Sequence, residues 1–258
     1  MLAFARRVAG KDKYLDVSVP AGVTVGQRNA LSSGDLQGLN WLRRDFIAES
    51  GKLRQISVSA DGFIWGVNKD REIYSKAIGD RNWQRVSGSL RNVSVGNRTS
   101  IWGVNKKDEI YRRNASGNAW ERISGKLRNI SVGRDGTVWG VNAEDRIYRW
   151  NGTGWTRVEG KLKQISVGDR SLVWGVNDEG RIYRWNGSGW ERVSGSLAWV
   201  SVAADVTVWG VNSSGEIYFR NATNGWSRVS GRSAQIDVGS FNTVYGVNSD
   251  RKVYAYKI

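Results

Sequence analysis

One motif recurs along this chain from residue 65 to its end. Trp-Gly-Val-Asn occurs five times, and a sixth copy has Tyr in place of Trp. Eight residues after each of these aromatic residues, an aliphatic residue is followed by Tyr. Self-similarity at a period of 35 to 37 residues indicates that one small structural unit is repeated six times. The copies begin at Trp65, Trp102, Trp139, Trp174, Trp209 and Tyr245.

The unit between residues 127 and 158 is predicted to hold four short strands. Its apolar segments are rich in Val, Ile, Trp and Tyr, and none has the spacing of an amphipathic helix. They are separated by turn sequences such as Asp135-Gly136 and Asn151-Gly152. Each unit is therefore predicted to be a four-stranded antiparallel sheet. The four segments are 127–132, 137–141, 146–150 and 155–158.

Six sheets of this size favour one all-β architecture. A single sheet cannot bury both faces, but sheets arranged radially around an axis pack against their neighbours. We therefore predict a six-bladed β-propeller of four-stranded antiparallel blades over residues 46–258.

The two ends of the repeat region complement each other. The sixth unit ends after three strands, whereas residues 46–53 align with residues 83–90, with Phe46 at the position of Trp83. We expect this N-terminal segment to close the last blade, because closure removes an exposed sheet edge.

Residues 1–45 do not match the repeat and are predicted to be an N-terminal extension. Segments 14–19 and 23–25 alternate like short strands on either side of Pro20. The extension either packs along the array or lends a strand to a neighbouring subunit, and in the second case the protein is a homo-oligomer.

The composition excludes several kinds of site. The chain has no Cys and no His, which removes disulfides, thiolate metal sites and His-based catalysis. Six equivalent units also spread their residues evenly, whereas catalysis needs one unique constellation. We expect no enzyme activity, no cofactor and no metal.

The formal net charge of +15 favours anionic partners such as nucleic acid, anionic lipid or acidic glycans. The basic residues are spread over the repeats without a nucleic-acid recognition motif, so we expect no nucleic-acid partner. No apolar run approaches 18 residues, and we expect no transmembrane segment. The first residues lack the apolar core of a secretory signal, so a cytoplasmic location is expected.

The repeats resemble those of the tectonin family. The matching elements are Trp-x-x-Val-x-Gly-x-Leu, Ile-Ser-Val-Gly, Val-Trp-Gly-Val-Asn and Ile-Tyr, which stand at residues 190–197, 165–168, 173–177 and 182–183. The resemblance covers residues 46–258 and implies a six-bladed propeller that binds sugars. Ligands in the family include lipopolysaccharide, N-acetylglucosamine and O-methylated mannose or fucose. The resemblance implies nothing about residues 1–45.

Three residues of the repeated motif are the candidate ligand site, because an aromatic ring, a gap and an amide meet the needs of a sugar pocket. The Trp set could equally serve packing between blades. The aromatic residues of the six copies are Trp65, Trp102, Trp139, Trp174, Trp209 and Tyr245. The Gly residues are Gly66, Gly103, Gly140, Gly175, Gly210 and Gly246. The Asn residues are Asn68, Asn105, Asn142, Asn177, Asn212 and Asn248.

Structural roles compete for the Gly and Asn positions too. A Gly inside a strand marks close approach by another group, which is either an aromatic ring of a neighbouring blade or a small ligand group such as a methyl. The Asn either initiates a turn through its own side chain or orients sugar hydroxyls. The site with Tyr245 is the copy expected to differ from the others.

Two sets of basic residues also recur. One Arg stands two residues after the outer-strand Trp and therefore shares its strand face. A second set precedes the innermost strand and predicts a patchy basic ring, which is either an anion platform or a solvated face. The first set is Arg85, Arg122, Arg157, Arg192 and Arg228. The second is Lys52, Arg54, Arg91, Lys126, Arg128, Lys161, Lys163 and Arg232.

These patterns predict a multivalent lectin with one similar site per blade. We expect it to recognise foreign cell-surface glycans, either O-methylated sugars or glycans of the bacterial lipopolysaccharide type, in innate defence. The alternative is a non-enzymatic scaffold that binds proteins or anionic lipid, because propellers host many functions.

Overall fold

The computed structural model describes residues 45–257, which form 24 β-strands and no helix. The predicted extension therefore lies outside the described residues, apart from its last position. The strands form six separate sheets of four strands each, and the sheets are the blades of a β-propeller. The all-β class and the six-bladed architecture are thus as the repeat predicts.

Blades are numbered here in chain order of their innermost strand. Blade 1 has β2 (Gln55–Val58), β3 (Phe63–Val67), β4 (Glu72–Ala77) and β5 (Gln84–Ser89), and blade 2 has β6 (Asn92–Asn97), β7 (Ser100–Val104), β8 (Glu109–Arg113) and β9 (Trp120–Lys126). Blade 3 has β10 (Asn129–Val132), β11 (Val138–Val141), β12 (Arg146–Trp150) and β13 (Trp155–Lys161), and blade 4 has β14 (Gln164–Asp169), β15 (Leu172–Val176), β16 (Arg181–Trp185) and β17 (Trp190–Ser196). Blade 5 has β18 (Trp199–Val202), β19 (Val208–Val211), β20 (Glu216–Arg220) and β21 (Trp226–Arg232), and blade 6 has β22 (Gln235–Ser240), β23 (Thr243–Val247), β24 (Lys252–Lys257) and β1 (Asp45–Lys52).

The strands of each blade pair antiparallel with their neighbours in the sequence. In blade 3, Gly140 of β11 stands opposite Tyr148 of β12, and Tyr148 stands opposite Arg157 of β13. Side chains alternate between the two faces of a strand, so this register sends Trp139 and Tyr148 to fixed faces of the blade. The same register recurs in the other blades.

The outer strand of blade 6 comes from the other end of the described chain. Strand β1 pairs antiparallel with β24, with Phe46 opposite Tyr256 and Ala48 opposite Tyr254. The four strands of this sheet are ordered β1, β24, β23, β22. Residues 45–52 thus occupy the position that β5, β9, β13, β17 and β21 hold in the other blades.

The hydrophobic core is divided among the boundaries between blades, each of which we call a seam. At the seam of blades 3 and 4, buried Trp139 and Ile147 of blade 3 pack with Leu162, Ile165 and Val167 of blade 4. Five further clusters of the same kind lie at the other seams. Full burial of one such aliphatic side chain contributes about 1.5–3 kcal/mol, so the seams hold the fold together.

Side chains of the innermost strands also link neighbouring blades by hydrogen bonds. In five blades a Ser hydroxyl accepts from the backbone N–H of a Val in the next blade, as Ser94 does from Val132 at 2.9 Å. In blade 6 the Ser is replaced by Asp237, whose Oδ2 accepts from the N–H of Val58 at 2.7 Å. The five hydroxyls belong to Ser57, Ser94, Ser131, Ser166 and Ser201.

A second set of such bonds lies two residues earlier in the same strands. There a Gln or Asn side chain accepts from the backbone N–H of the next blade, and Trp199 takes this position in blade 5. The acceptors are Gln55, Asn92, Asn129, Gln164 and Gln235.

Candidate functional site: clefts at the seams

The repeated Trp residues of the second strands are packing residues. All six aromatic side chains of this set are buried, with exposed fractions of 1% to 7%. Each of the five Trp rings contacts an outer-strand aromatic residue of the next blade, as Trp139 contacts Trp190 with ring centroids 6.0 Å apart and planes at 80°. This edge-to-face arrangement is a favourable one for two aromatic rings. The interpretation as blade-to-blade packing therefore agrees with the structure.

The space beside the repeated Gly is filled by neither of the groups that the sequence suggested. A Cβ atom built on Gly140 would lie 2.5 Å from Cδ1 of Leu127 and 2.8 Å from the carbonyl oxygen of Asn129. Leu127 belongs to the same repeat and not to a neighbouring blade. The same Leu contact occurs at Gly66, Gly103, Gly175 and Gly210, whereas Ser233 occupies it at Gly246. The gap is thus closed from within each repeat, which leaves no room for a ligand methyl there.

The repeated Asn initiates the turn after the second strand. Oδ1 of Asn142 accepts the backbone N–H groups of Glu144 at 3.1 Å and Arg146 at 2.9 Å. Its Nδ2 donates to the Glu144 carboxylate. In every blade the Asn Oδ1 accepts the N–H four residues on, so this oxygen is already engaged in the turn. The turn interpretation agrees with the structure at all six positions.

In three blades, the Arg that follows the outer Trp pairs with a Glu of the third strand of its own blade, whereas Arg157 of blade 3 lies 3.8 Å from Glu159 of its own strand. Arg85 lies 2.9 Å from Oε1 of Glu72, whose Oε2 accepts from the hydroxyl of Tyr74 at 2.9 Å. The hydrogen bonds from Tyr74 and Asn68 lower the pKa of Glu72. Blades 2 and 5 repeat this group with Arg122 and Arg228, paired with Glu109 and Glu216. Blades 3, 4 and 6 have Arg146, Arg181 and Lys252 in place of the Glu.

The second basic set lies at the same end of the propeller as the Asn turns. The backbone N–H of Arg54 donates to the carbonyl of Val67, which immediately precedes Asn68, and the same bond recurs at each blade. Seven of the eight side chains are exposed, and Arg91 is half-buried in an ion pair with Asp108 at 2.8 Å. This end of the molecule therefore carries exposed positive charge.

An open cleft lies at the outer part of the seam of blades 2 and 3. One wall is the turn of blade 3 between Trp150 and Trp155, and the other is the outer strand of blade 2 with Arg122 to Gly125. Arg112 completes the lining. The two Trp rings are half-buried and lie 5.2 Å apart, and both contact Trp102 of blade 2 behind them. Aromatic rings, two guanidinium groups and hydroxyls of Ser124 and Thr153 thus converge on one concave surface.

The cations of this cleft are already neutralised. Nε of Arg112 donates to Oε2 of Glu121 at 3.0 Å, and Arg122 lies 3.4 Å from Oε1 of Glu109. The cleft is therefore an apolar wall with balanced charge and polar groups at its rim.

One position distinguishes the six seams, and we call its occupant the seam residue. It is the last or the next-to-last residue of the third strand of each blade. It stands two residues after the repeated Tyr, so the two side chains lie on the same face of the strand. At the seam of blades 3 and 4, Trp185 contacts Trp139 and Trp190 as Trp150 contacts Trp102 and Trp155. The seam residues in chain order are Lys76, Arg113, Trp150, Trp185, Arg220 and Tyr256.

The repeated motif predicts one similar site in every blade, whereas the seam residues divide the seams into different kinds. Trp occupies the position in blades 3 and 4, and Arg occupies it in blades 2 and 5. In blade 6, Tyr256 packs against Phe46 and Trp209 with centroids 5.1 Å and 4.8 Å away. In blade 1, Lys76 is buried in an ion pair with Glu49. The seam residue is not an invariant position of the repeat, because its chemistry changes from blade to blade.

The described residues contain no group of acidic residues that could hold a metal ion. Within residues 45–257, no helix is long and apolar enough to cross a membrane.

Comparison with known proteins identifies the repeats. The family model of the Tectonin domain matches the chain twice, over residues 7–117 and 114–258. The first match thus includes most of the residues that the repeat alignment left to the extension. No curated protein matches this sequence.

Several solved structures have a similar fold. A structural genomics protein of unknown function from Bacteroides thetaiotaomicron has 13% identity and a TM-score of 0.62, covering 83% of this chain and 72% of its own. The WD40 repeats of RRP9 have 8% identity and a TM-score of 0.63, with coverage of 83% and 97%. YCF48 bound to D1 peptide has 16% identity and a TM-score of 0.54, with coverage of 83% and 82%. At these identities the likeness shows the fold alone.

Proposed function

This chain belongs to the tectonin-domain family, and from that premise we propose that it is a multivalent carbohydrate-binding protein that holds sugars in the clefts at its seams. The observation that supports this most is the cleft at the seam of blades 2 and 3, where Trp150 and Trp155 face Arg122 and Ser124. A sugar ring presents apolar C–H faces and a rim of hydroxyls. Indole rings suit the first, and Arg, Ser and Thr side chains suit the second.

We infer a second cleft of the same kind at the seam of blades 3 and 4, because the aromatic pair recurs there. Trp185 and Trp190 lie 5.3 Å apart, as Trp150 and Trp155 do at 5.2 Å. Arg157 takes the place of Arg122, Ser188 that of Thr153, and Glu159 that of Ser124. We assign neutral sugars to these two Trp seams. Arg112 and Arg122 of the first and Arg157 of the second are paired with Glu residues, and an uncharged ligand does not have to break those pairs.

Two clefts on one chain give avidity on a surface that repeats the same sugar. Linking sites of modest affinity raises the overall binding by about 10²–10⁴ when both can engage together. Homo-oligomerisation, for which residues 1–45 are our candidate segment, increases the number further. Targets of this kind are the O-methylated or lipopolysaccharide-type glycans of foreign cells. A cytoplasmic protein with this activity fits a role in innate defence, in which it meets glycans released from ingested or damaged cells.

The test is binding to arrayed bacterial, fungal and nematode glycans, with and without O-methylated sugars. We expect selective signals that the free neutral sugar competes away and that 0.5 M salt leaves in place. Isothermal titration with the best monosaccharide should give two sites per chain. Signals that appear only with anionic probes and vanish in salt would overturn the assignment to neutral sugars.

A second candidate function is a scaffold that binds anionic lipid or a protein without catalysis. The exposed basic side chains beside the Asn turns favour it, because positive charge near a membrane surface contributes about 1 kcal/mol per Lys or Arg. Binding to vesicles with 30% phosphatidylserine, combined with a blank glycan array, would select this function.

A further inference from the structure

Two seams carry an unpaired guanidinium group where the Trp seams carry an indole. At the seam of blades 1 and 2, the Cζ atom of Arg113 lies 5.2 Å from the ring centroid of Trp120 and 6.0 Å from that of Trp65. At the seam of blades 4 and 5, Cζ of Arg220 lies 5.3 Å from the ring of Trp226. Both side chains are half-buried. Each cation thus stands against indole rings at the mouth of a seam.

Neither guanidinium has an acidic partner. Among the described residues, every ion pair involves other side chains. Nε of Arg113 and Nη1 of Arg220 are buried nitrogens without a hydrogen-bond acceptor in the described part of the chain. Among the described residues, one hydrogen bond leaves these two head groups, and it runs from Nη2 of Arg113 to the carbonyl oxygen of Gly117.

The seam residue of blade 1 shows what a neutralised cation looks like at this position. Lys76 lies over Trp83 at 5.2 Å, much as Arg113 lies over Trp120, but its Nζ is 2.8 Å from Oε2 of Glu49. Glu49 stands where blades 2 to 5 have Ile123, Val158, Val193 and Val229 and where blade 1 has Val86. The chain therefore supplies a carboxylate at one cationic seam and an aliphatic residue at the two Arg seams.

Stacking on Trp alone does not account for the Arg seams. A cation over an indole ring gains about 0.5–2 kcal/mol, which explains the ring contact. It does not satisfy a buried N–H, and such a group left without a partner is costly. Desolvation lowers the pKa of both Arg113 and Arg220, because burial disfavours the charged form of each side chain. The positive charge of Arg184 lowers the pKa of Arg220 further. An anion placed in the seam would relieve both the unpaired charge and the unpaired N–H.

We propose that Arg113 and Arg220 make these two seams subsites for the oxyanion of a charged sugar, with the sugar ring lying on Trp120 or Trp226. The planar guanidinium offers paired donors that match a carboxylate, sulfate or phosphate group. This inference rests on the proposed function, because it takes the ligand to be a glycan. It assigns neutral sugars to the Trp seams and acidic sugars to the Arg seams, so one chain reads two kinds of substituent.

The two Arg seams are not identical. At the seam of blades 4 and 5, Arg184 stands near Arg220, although its Nε donates to Glu191 at 2.9 Å. At the seam of blades 1 and 2, Ser75 takes the place of Arg184. We therefore expect the seam of blades 4 and 5 to bind the more highly charged substituent more tightly.

The test follows the indole N–H signals in ¹H–¹⁵N spectra of the full chain, titrated at constant ionic strength. The probes are sodium sulfate, N-acetylglucosamine 6-sulfate and unmodified N-acetylglucosamine. We expect the two sulfate-bearing probes to shift the signals of Trp120 and Trp226 saturably. Arg113→Trp should remove the Trp120 response and Arg220→Trp the Trp226 response, so the number of charged-sugar sites falls from two to one and, in the double variant, to none.

Control variants separate a site from general charge. Arg81→Gln removes one exposed cation in the turn before β5, away from the two Arg seams, and should leave both responses within twofold of the native affinity. Arg113→Gln removes the charge without introducing an aromatic ring, and it should weaken the Trp120 response by about tenfold or more. Parallel shifts of every indole, or an unchanged response in the double variant, would overturn the proposal.

The outcomes also distinguish this inference from the proposed function. Binding of neutral sugar without a response to sulfate would contradict the proposed Arg subsites and would still support carbohydrate binding at the Trp seams. A response of Trp120 and Trp226 to inorganic sulfate, with no binding of either sugar, supports the anion subsites and removes the glycan from both proposals.

Discussion

Nζ of Lys76 lies 2.8 Å from Oε2 of Glu49, and this ion pair joins the third strand of blade 1 to the first strand of the described chain. The Lys76 side chain is 1% exposed and that of Glu49 is 22% exposed. Both residues depart from the repeat at this seam, since other blades have an aliphatic residue at the position of Glu49. The two departures therefore compensate each other.

We expect Glu49→Val alone to destabilise the protein by about 3–5 kcal/mol, because it leaves a buried ammonium group without its carboxylate and with only the carbonyl oxygen of Asp80 as an acceptor. Glu49→Val combined with Lys76→Trp recreates the combination of Val158 with Trp185 and should regain most of that loss. Urea unfolding of the four proteins of this double-mutant cycle measures the coupling. Additive effects of the two substitutions would show that the pair is not a unit.

Asp237 is expected to make stability depend on pH in a direction opposite to that of the surface carboxylates. Burial raises its pKa to about 6 from 3.8, against the hydrogen bonds from Val58 and Ser201. The native state then holds this proton more tightly than the unfolded state does. Its contribution to the free energy of unfolding falls by about 3 kcal/mol over the whole titration, of which about 2 kcal/mol is lost as the pH rises from 4 to 6.

Asp237→Ser restores the residue of the other five blades and should abolish that dependence. The measurement is the difference in free energy of unfolding between variant and native protein at pH 4, 5, 6 and 7. We expect the variant to gain relative to the native protein as the pH rises. A constant difference over this range would mean that Asp237 keeps an ordinary pKa.

Gly140→Ala should cost about 1–3 kcal/mol, because its methyl group would meet Leu127 and a backbone carbonyl oxygen. Gly154→Ala is the matched control, since nothing lies within 4 Å of a Cβ atom there. Thermal unfolding should show a lower Tm for the first variant and little change for the second. Equal Tm values would show that Leu127 moves aside without cost.

Asn142→Ala should destabilise the turn by about 1–2 kcal/mol and leave sugar binding unchanged. The substitution removes the acceptor of two backbone N–H groups, those of Glu144 and Arg146. Asn142→Asp retains that acceptor and serves as the control. If Asn142→Ala loses sugar affinity but keeps its stability, the Asn142 side chain contacts the ligand.

Trp150→Arg should abolish neutral-sugar binding at the seam of blades 2 and 3, because it replaces the indole wall with the residue found in blades 2 and 5. Titration should then give one neutral site in place of two. Lys106→Ala, an exposed change in a turn, is the control and should keep both sites. Two remaining sites in Trp150→Arg would place the sugar elsewhere.

Much of the fold follows from the sequence because each repeat of the motif corresponds to one sheet. Five copies of Trp-Gly-Val-Asn and a sixth with Tyr predict six sheets, and the Asn-Gly and Asp-Gly turns predict the hairpins between their strands. The role of Trp as packing follows from its size, and that of Asn from its position at the end of a strand. These are local properties of single residues.

The candidate site was harder to predict because it depends on differences between repeats. Gly140 and Leu127 are equally periodic, so periodicity alone does not reveal that one fills the space beside the other. Trp150 and Arg113 share a position without sharing chemistry, and a search for recurring residues passes over such a position. The available signal was the strand register, which puts the residue two after the repeated Tyr on the same face.

The pairing of β1 with β24 also has a consequence for synthesis of the chain. Strand β1 leaves the ribosome first of the 24 strands and its partner leaves last, about 200 residues later. At roughly 5–20 residues per second, β1 waits about 10–40 seconds for β24. Throughout that interval β1 lacks the strand with which it pairs among residues 45–257, so its backbone donors and acceptors are open to wrong pairing.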